Sequence, residues 1–195
     1  MIRRIVPIVE GHSEADSIPA FLRRVLQDRG IYAYDTGRAI REHRNRLAKP
    51  EVFANRVRMA QMREGCAAVM AVFDSDDDAA CVLGPSLLRE TISSGVTVPL
   101  SIVLAVREVE AWLIAGVKSL RGYRGMVEDA DTPEFPESIR GAKEWLSARM
   151  RNGYKPTIDQ LPYLLRFDYQ EARHLAPSLD KFLRDLDRIV NSTLH

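Results

Sequence analysis

Residues 67–78 read AAVMAVFDSDDD, an uninterrupted apolar run that ends in a cluster of aspartates. A shorter stretch near the start has the same form, because the apolar residues 5–9 (IVPIV) lead directly into Glu10 and Gly11. Runs of this kind are typical of strands that are buried on both faces of a sheet. Acids placed directly after them lie at the carboxyl ends of the strands, where open α/β sheets bind their ligands.

The pattern around these two runs alternates between strands and helices. It predicts, in order, a strand at 2–9, a helix that begins near Ser13 and stops at Gly30, a weak strand at 31–35, a helix at 50–64, a strand at 67–73, a helix from Pro85 to Ser93 and a strand at 98–106. The later segments are helical, at 108–115, 137–151, 157–165 and 178–190. We therefore expect an α/β fold with a mainly parallel sheet and helices on both faces, plus a C-terminal helical elaboration. Residues 1–115 would form the core and residues 116–195 the elaboration.

Composition excludes several classes of protein. The chain has 195 residues, 28 Lys and Arg against 27 Asp and Glu, and two cysteines without metal-ligand spacing around them. A nucleic-acid surface would therefore have to be local, and neither a disulfide framework nor a zinc site is indicated. No run approaches the length of a membrane span, and the apolar stretch behind the basic start is broken at Glu10, too early for a signal peptide. We expect a cytoplasmic protein that does not bind membranes.

The acids at the strand ends suit a hard divalent cation. Asp74 and Asp76 are the first candidates to hold Mg²⁺ or Mn²⁺, because carboxylate oxygens are the ligands those ions prefer. Glu10 is the candidate for the unligated acid that moves a proton, since a carboxylate-held ion and one free acid together serve phosphodiester cleavage. Glu108, after the 98–106 strand, is a candidate second-metal or supporting ligand. Further candidates around the site are Glu14, Asp78 and Glu110.

Other interpretations of the aspartate cluster can be compared by counting. An EF-hand loop starting at Asp74 would need glycine at Ala79 and glutamate at Pro85, so that motif is excluded. A phosphatase with Asp74 as its nucleophile stays open. So does a plain polar turn that caps the next helix.

A local basic tract lies between the two apolar runs described above, residues 5–9 and 67–73. Residues 38–63 contain eight basic residues and only two acids, Glu42 and Glu51. Arginine clusters bind phosphates in a bidentate manner, so this tract is a candidate nucleic-acid surface. The residues we assign to it are Arg38, Arg41, Arg44 and Arg46. A solvated helix face with a flexible loop is the alternative.

Four segments, in order, carry a resemblance to a known family. They are residues 9–14 (VEGHSE), 73–78 (FDSDDD), 107–113 (REVEAWL) and 155–160 (KPTIDQ). The first two resemble the TOPRIM domain of topoisomerases, primases and the overcoming-lysogenization-defect nucleases. All four together resemble the bacterial domain-of-unknown-function family 4276, regarded as TOPRIM-like, over nearly the whole chain.

The resemblance implies a metal-dependent phosphodiester chemistry. In it, Glu10 would act as general acid or base, and Asp74 and Asp76 would hold Mg²⁺. It also implies a role in defence against phage and mobile elements, often beside an ATPase partner. A non-catalytic subunit that serves such an ATPase is the alternative from another functional class. The sequence leaves open whether the substrate is DNA or RNA, and whether the chain forms a homo-oligomer.

Overall fold

The computed structural model describes residues 2–192 and shows an α/β fold. Its strands are β1 (Arg3–Val9), β2 (Tyr34–Thr36), β3 (Ile40–Arg41), β4 (Cys66–Asp74) and β5 (Leu100–Ala105). Its α-helices are α1 (His12–Asp28), α2 (Arg44–Leu47), α3 (Pro50–Gln61), α4 (Ala80–Ser93), α5 (Glu110–Ala115), α6 (Ala142–Ser147), α7 (Pro156–Leu164), α8 (Tyr169–Ala172) and α9 (Pro177–Asn191). No helix within residues 2–192 has both the length and the apolar character needed to cross a bilayer.

All strand pairings in the sheet are parallel. The order is β2-β1-β4-β5, and the short β3 also pairs with β1, beyond β2 along the same edge. The chain leaves β1 toward β2 on one side and returns to place β4 on the other, so the strand order reverses between β1 and β4. In open α/β sheets this reversal opens a crevice at the carboxyl ends of the two strands. Glu10 follows β1 and Asp74 ends β4, so both acids lie at this crevice.

Helices cover both faces of the sheet, as the sequence predicted. One face is built around α1, whose Phe21 contacts Trp112, Phe167, Tyr169 and Phe182 with ring centroids 5.4–6.4 Å apart. The opposite face packs against α3 and α4. The alternation of β4 is consistent with this arrangement, because successive side chains of a strand point to opposite faces. Met70 and Val72 enter the first hydrophobic cluster, whereas Val69, Ala71 and Phe73 enter the second.

The C-terminal helices pack on the α1 side and share its hydrophobic cluster. The side chain of Ser17 in α1 donates a hydrogen bond to Gln160 Oε1 in α7 at 2.7 Å, so polar contacts also join the two parts. Arg24 of α1 donates to the carbonyl oxygens of Leu164 and Phe167 at 3.0 and 2.9 Å. The elaboration therefore contacts α1 along its length, both near the end that follows Glu10, at Ser17, and towards the other end, at Arg24.

Two predicted helices have different limits in the structure. The helix expected from Pro85 begins five residues earlier, at Ala80. Pro85 has no N–H group to donate a helical hydrogen bond to the carbonyl of Cys81. Because Cys81 is exposed, water can donate to that carbonyl instead, and the helix continues through Pro85. The helix expected at 137–151 is shorter, because Gly141 adopts φ 70° and separates a 3-10 turn at Pro136–Ser138 from α6.

Candidate active site

The carboxyl end of β1 presents Glu10 and then turns into α1 through Gly11. A Cβ atom at Gly11 would lie 1.8 Å from Oε2 of Glu14, so only glycine allows the Glu14 carboxylate to fold back over this turn. Glu14 is 6 % exposed and accepts hydrogen bonds from Ser13 Oγ at 3.2 Å and from Gln160 Nε2 at 3.0 Å. The Glu10-Gly11 pair thus places two acids, Glu10 and Glu14, at one end of the sheet.

Asp74 ends β4 in the interior of the protein, with 5 % of its surface exposed. Its Oδ1 accepts a hydrogen bond from the backbone N–H of Val109 at 2.9 Å, which fixes the carboxylate toward the loop that follows β5. Arg44 holds the same strand end from the other side. Its guanidinium donates to the carbonyl oxygens of Asp74 at 2.6 Å and Ser75 at 2.9 Å.

The turns after β4 and β5 are both strained and are bonded to each other. Asp76 has φ 50° and Arg107 has φ 63°, a left-handed conformation that is uncommon for residues other than glycine. The N–H of Asp76 donates to the Arg107 carbonyl at 3.3 Å, and the N–H of Arg107 donates to Ser75 Oγ at 3.0 Å. Strain of this kind concentrates at functional sites. Here it directs Asp76 to the solvent side of the crevice, where its side chain is 62 % exposed.

Glu110 follows β5 and is completely buried at the start of α5. Its Oε1 accepts hydrogen bonds from Gln160 Nε2 at 3.2 Å and Tyr154 Oη at 3.3 Å. Its Oε2 accepts no hydrogen bond, although Lys143 Nζ lies 3.3 Å away. Glu108 is partly exposed and is bound by Lys143 Nζ at 2.6 Å and by the N–H of Ala142 at 3.2 Å. Of the two glutamates, Glu110 is therefore the deeper one, whereas Glu108 was the first choice from the sequence.

The carboxyl groups are close enough to shift one another's pKa. Burial raises the pKa of Glu10 to about 7, and the neighbouring acids Glu14 and Asp76 add to the effect. Burial also raises the pKa of Asp74 well above its ordinary value, and Glu10 and Glu110 contribute. The pKa of Glu110 is raised by burial as well, against the opposing effect of Lys143. These mutual effects join five residues into one group, which we call the acidic cluster: Glu10, Glu14, Asp74, Asp76 and Glu110.

The acidic cluster fits a divalent cation in its donor chemistry. Glu10 Oε2 is buried without a hydrogen-bond partner, and Asp74 and Glu110 are buried acids in a site with more carboxylates than cations. A cation is the usual relief for such crowding. Among residues 2–192, however, no three acidic, histidine or cysteine side chains already stand in the arrangement of a metal site. The carboxylates are therefore candidate ligands, and Asp76, drawn outward to 3.6 Å from Arg44 Nε, would have to turn inward to join Asp74.

Three residues of the site were not singled out from the sequence. Lys143, Tyr154 and Gln160 all come from the C-terminal elaboration and contact the acids through the bonds described above. Gln160 carried the one available signal, because it is a polar residue inside the 155–160 segment and on a buried face of α7. The contacts of Lys143 and Tyr154 join residues 33 to 44 positions apart, which local patterns do not reveal.

The four arginines assigned to nucleic-acid binding do not form one surface. Arg38, Arg41 and Arg46 are exposed, and Arg46 lies 3.6 Å from Glu42. The side chain of Arg44, in contrast, is only 12 % exposed and is bound to Asp74, Ser75 and Asp78. Arg44 therefore stabilises the turn that follows β4. The ion pair between Arg44 and Asp78 is part of this turn, so both side chains have a structural role.

A cavity of about 760 Å³ opens beside the Asp76 turn. Its lining includes Arg107, Phe135, Arg140 and His174. Arg107 and Arg140 approach the same carboxylate, that of Asp77, at 3.2 and 3.1 Å. Asp76 is the residue of the acidic cluster that lines this cavity, beside two guanidinium groups and an exposed aromatic ring.

Comparison with known proteins gives one result. Neither the curated proteins nor the solved structures contain a match to the chain. A family model described as "Domain of unknown function (DUF4276)" matches residues 9–187. This match begins at Val9, ends within α9 and includes every residue of the acidic cluster. The chain therefore belongs to the DUF4276 family.

Proposed function

We propose that the protein is a Mg²⁺- or Mn²⁺-dependent, TOPRIM-like nuclease that hydrolyses nucleic-acid phosphodiesters. The observation that carries the proposal is the meeting of Glu10 and Asp74 at the strand-order reversal, with a buried Glu10 oxygen that has no hydrogen-bond partner. Acids of this kind at the carboxyl ends of neighbouring parallel strands are suited to bind a cation and a phosphate together.

Asp74 and Asp76 are the residues that would hold the ion. A bound divalent ion would supply positive charge against the non-bridging phosphate oxygens. Asp74 is oriented for this by the Val109 N–H, which uses one carboxylate oxygen and leaves the other. Asp76 lies at the solvent side, where a substrate would arrive.

Glu10 is the residue that would move a proton. Its pKa of about 7 is close to the pH of the cytoplasm, where a carboxyl group can both accept and release a proton. Gln160 and Ser13 hold Glu14 beside it, and the negative charge of Glu14 helps keep the pKa of Glu10 high. Glu10 therefore serves as the general base or acid of the hydrolysis.

A nuclease assay tests the proposal directly. The purified chain is incubated with single-stranded and duplex DNA and RNA, with Mn²⁺, with Mg²⁺ or with EDTA. Cleavage of at least one nucleic acid, present with metal and absent with EDTA, is expected. Absence of cleavage of all four substrates, with the protein folded and the metal bound, would favour the non-catalytic subunit.

A phosphatase with Asp74 as nucleophile is less compatible with the site. A nucleophilic carboxylate must reach the phosphorus atom of its substrate. Asp74 is only 5 % exposed, and its carboxylate is oriented by the Val109 hydrogen bond to Oδ1. These properties suit a buried ligand better than an attacking group.

An exposed apolar surface on α4 favours the alternative function, that of a non-catalytic subunit that serves an ATPase. Helix α4 exposes Val82 and Ile92 to 67 % and 64 %, and Leu88 lines an open groove of about 750 Å³ between α4 and α9. An apolar surface of this kind is a candidate for contact with the ATPase partner that the family resemblance implies. Placement in the cytoplasm and in a defence system belongs to the same proposal.

The exposed arginines provide a test of the substrate. We expect Arg38→Ala, Arg41→Ala and Arg46→Ala, combined, to weaken binding to any nucleic-acid sequence about equally. The slope of log K against log salt is negative, and each lost phosphate contact should make it less steep by nearly one unit. The free energy of unfolding should change little, because exposed charges contribute little to stability. Salt-dependent fluorescence anisotropy with labelled oligonucleotides measures both the affinity and the slope.

Arg44 is left unchanged in this variant because it supports the β4 turn. The matched control replaces three arginines that are exposed outside this tract, Arg89, Arg151 and Arg166, with alanine. An equal loss of affinity in the control and in the triple variant would show that general charge, and not these three arginines, governs binding.

A further inference from the structure

Lys143 brings a positive charge into the acidic cluster from the C-terminal elaboration. It is the second residue of α6, and its Nζ lies 2.6 Å from Glu108 Oε2 and 3.3 Å from Glu110 Oε2. The backbone N–H of Ala142 binds the other oxygen of Glu108 at 3.2 Å. The start of α6 therefore holds both glutamates that follow β5.

The ammonium group of Lys143 keeps its charge at neutral pH. Burial alone would lower its pKa, but the carboxylates of Glu110, Glu108 and Asp74 outweigh that effect and raise the pKa above its ordinary value. A half-buried cation between two carboxylates, close to a third, is in the position that a metal ion takes between bridging acids.

Lys143 separates the acids of the site by the partners they have. Glu14, Glu108 and Oε1 of Glu110 accept hydrogen bonds from Gln160, Tyr154 and Lys143. Oε2 of Glu110 accepts no hydrogen bond, but it lies 3.3 Å from the ammonium group of Lys143. Glu10, in contrast, has a buried oxygen without a hydrogen-bond partner, and Asp74 accepts the Val109 hydrogen bond through Oδ1 alone. The need for an external cation therefore lies beside Glu10 and Asp74.

We propose that Lys143 takes the place of a second metal ion, so that the site binds one divalent ion, on the side of Glu10, Asp74 and Asp76. The inference rests on the proposed function and adds the number of metals to it. In two-metal sites the ions lie about 3.5–4 Å apart and share bridging carboxylates. Here the position between Glu108 and Glu110 is filled by an ammonium group, which repels a second cation. Lys143 is thus a positioning residue, and Glu108 is its anchor and not a metal ligand.

The number of bound ions tests this proposal without reference to activity. Mn²⁺ titrations followed by calorimetry, and by the loss of the free-ion electron paramagnetic resonance signal, should give one ion per chain in the unchanged protein. Lys143→Met removes the charge and keeps the length of the side chain, so it should bind a second ion. Lys143→Arg keeps the charge and should bind one. Lys155→Met, an exposed neighbouring lysine on the same elaboration, is the matched control and should also bind one.

A second variant keeps the test decisive if Lys143→Met does not fold. In Glu108→Gln the amide oxygen can still accept a hydrogen bond from Lys143, and Glu110 still lies 3.3 Å from Lys143 Nζ, so Lys143 stays in place. We therefore expect one ion with a Kd within about twofold of the unchanged protein. A loss of more than about tenfold in affinity in Glu108→Gln, or two ions in the unchanged protein, would overturn the role of Lys143 and leave the metal-dependent nuclease standing. A protein that binds no Mn²⁺ at all would overturn the metal site of the proposed function itself.

Discussion

Asp74→Asn and Glu10→Gln should each reduce metal-dependent hydrolysis by about 10³-fold or more. In the proposed function Asp74 holds the ion and Glu10 moves the proton. Loss of either charge should cost several kcal/mol of transition-state stabilisation, and each 1.36 kcal/mol is a factor of ten in rate. The fold should be kept in both variants. The amide oxygen of asparagine can still accept the Val109 hydrogen bond that Asp74 Oδ1 accepts at 2.9 Å.

Asp77→Asn is the matched control for both variants. It lies in the same turn and carries the same charge, but its side chain is 75 % exposed and contacts Arg107 and Arg140 at the cavity. We expect its rate to stay within about threefold of the unchanged protein. Single-turnover cleavage rates, measured at saturating Mn²⁺ after circular dichroism has confirmed folding, compare the three. Full activity in Asp74→Asn would exclude Asp74 as a ligand.

The position of the site was predictable because it depends on local sequence. An apolar run followed by an acid marks the end of a buried strand, and parallel strands bring their carboxyl ends to one edge. Glu10 and Asp74 were found in this way, and the structure places them at the strand-order reversal between β1 and β4. Glu14 could be assigned because it is one turn from Glu10.

The electrostatic partners of the acids could not be predicted in the same way. Gln160 contacts Glu14 across 146 positions of the chain, and Lys143 reaches Glu108 across 35. Such contacts depend on how the elaboration packs, which periodicity does not specify. The structural role of Arg44 could not be predicted either. Its place in a basic tract gives no indication that its side chain turns inward and donates to backbone carbonyls.

The raised pKa values give the metal-free protein an unusual dependence of stability on pH. The pKa of Glu10 is about 7 in the folded protein, against 4.5 for an ordinary glutamate, and those of Asp74 and Glu110 are raised too. The folded state therefore binds more protons than the unfolded state between about pH 4.5 and 7, so the free energy of unfolding falls as pH rises through this window. For Glu10, which solvent reaches in part, we expect this loss to be about 1–2 kcal/mol.

With Mn²⁺ bound, the free energy of unfolding should fall much less as pH rises, because a bound cation favours the ionised carboxylates. At neutral pH the ion should stabilise the protein by about 2.7 kcal/mol at a hundredfold excess over its Kd. Urea unfolding at pH 5.0 and 7.5, with EDTA and with Mn²⁺, measures the free energies. Glu10→Gln should flatten the pH dependence in EDTA, whereas Glu90→Gln, an exposed glutamate of α4, should leave it unchanged. A metal-free protein that gains stability from pH 5.0 to 7.5 would show that the buried acids are ionised without a cation, which would remove the electrostatic basis for the ion site.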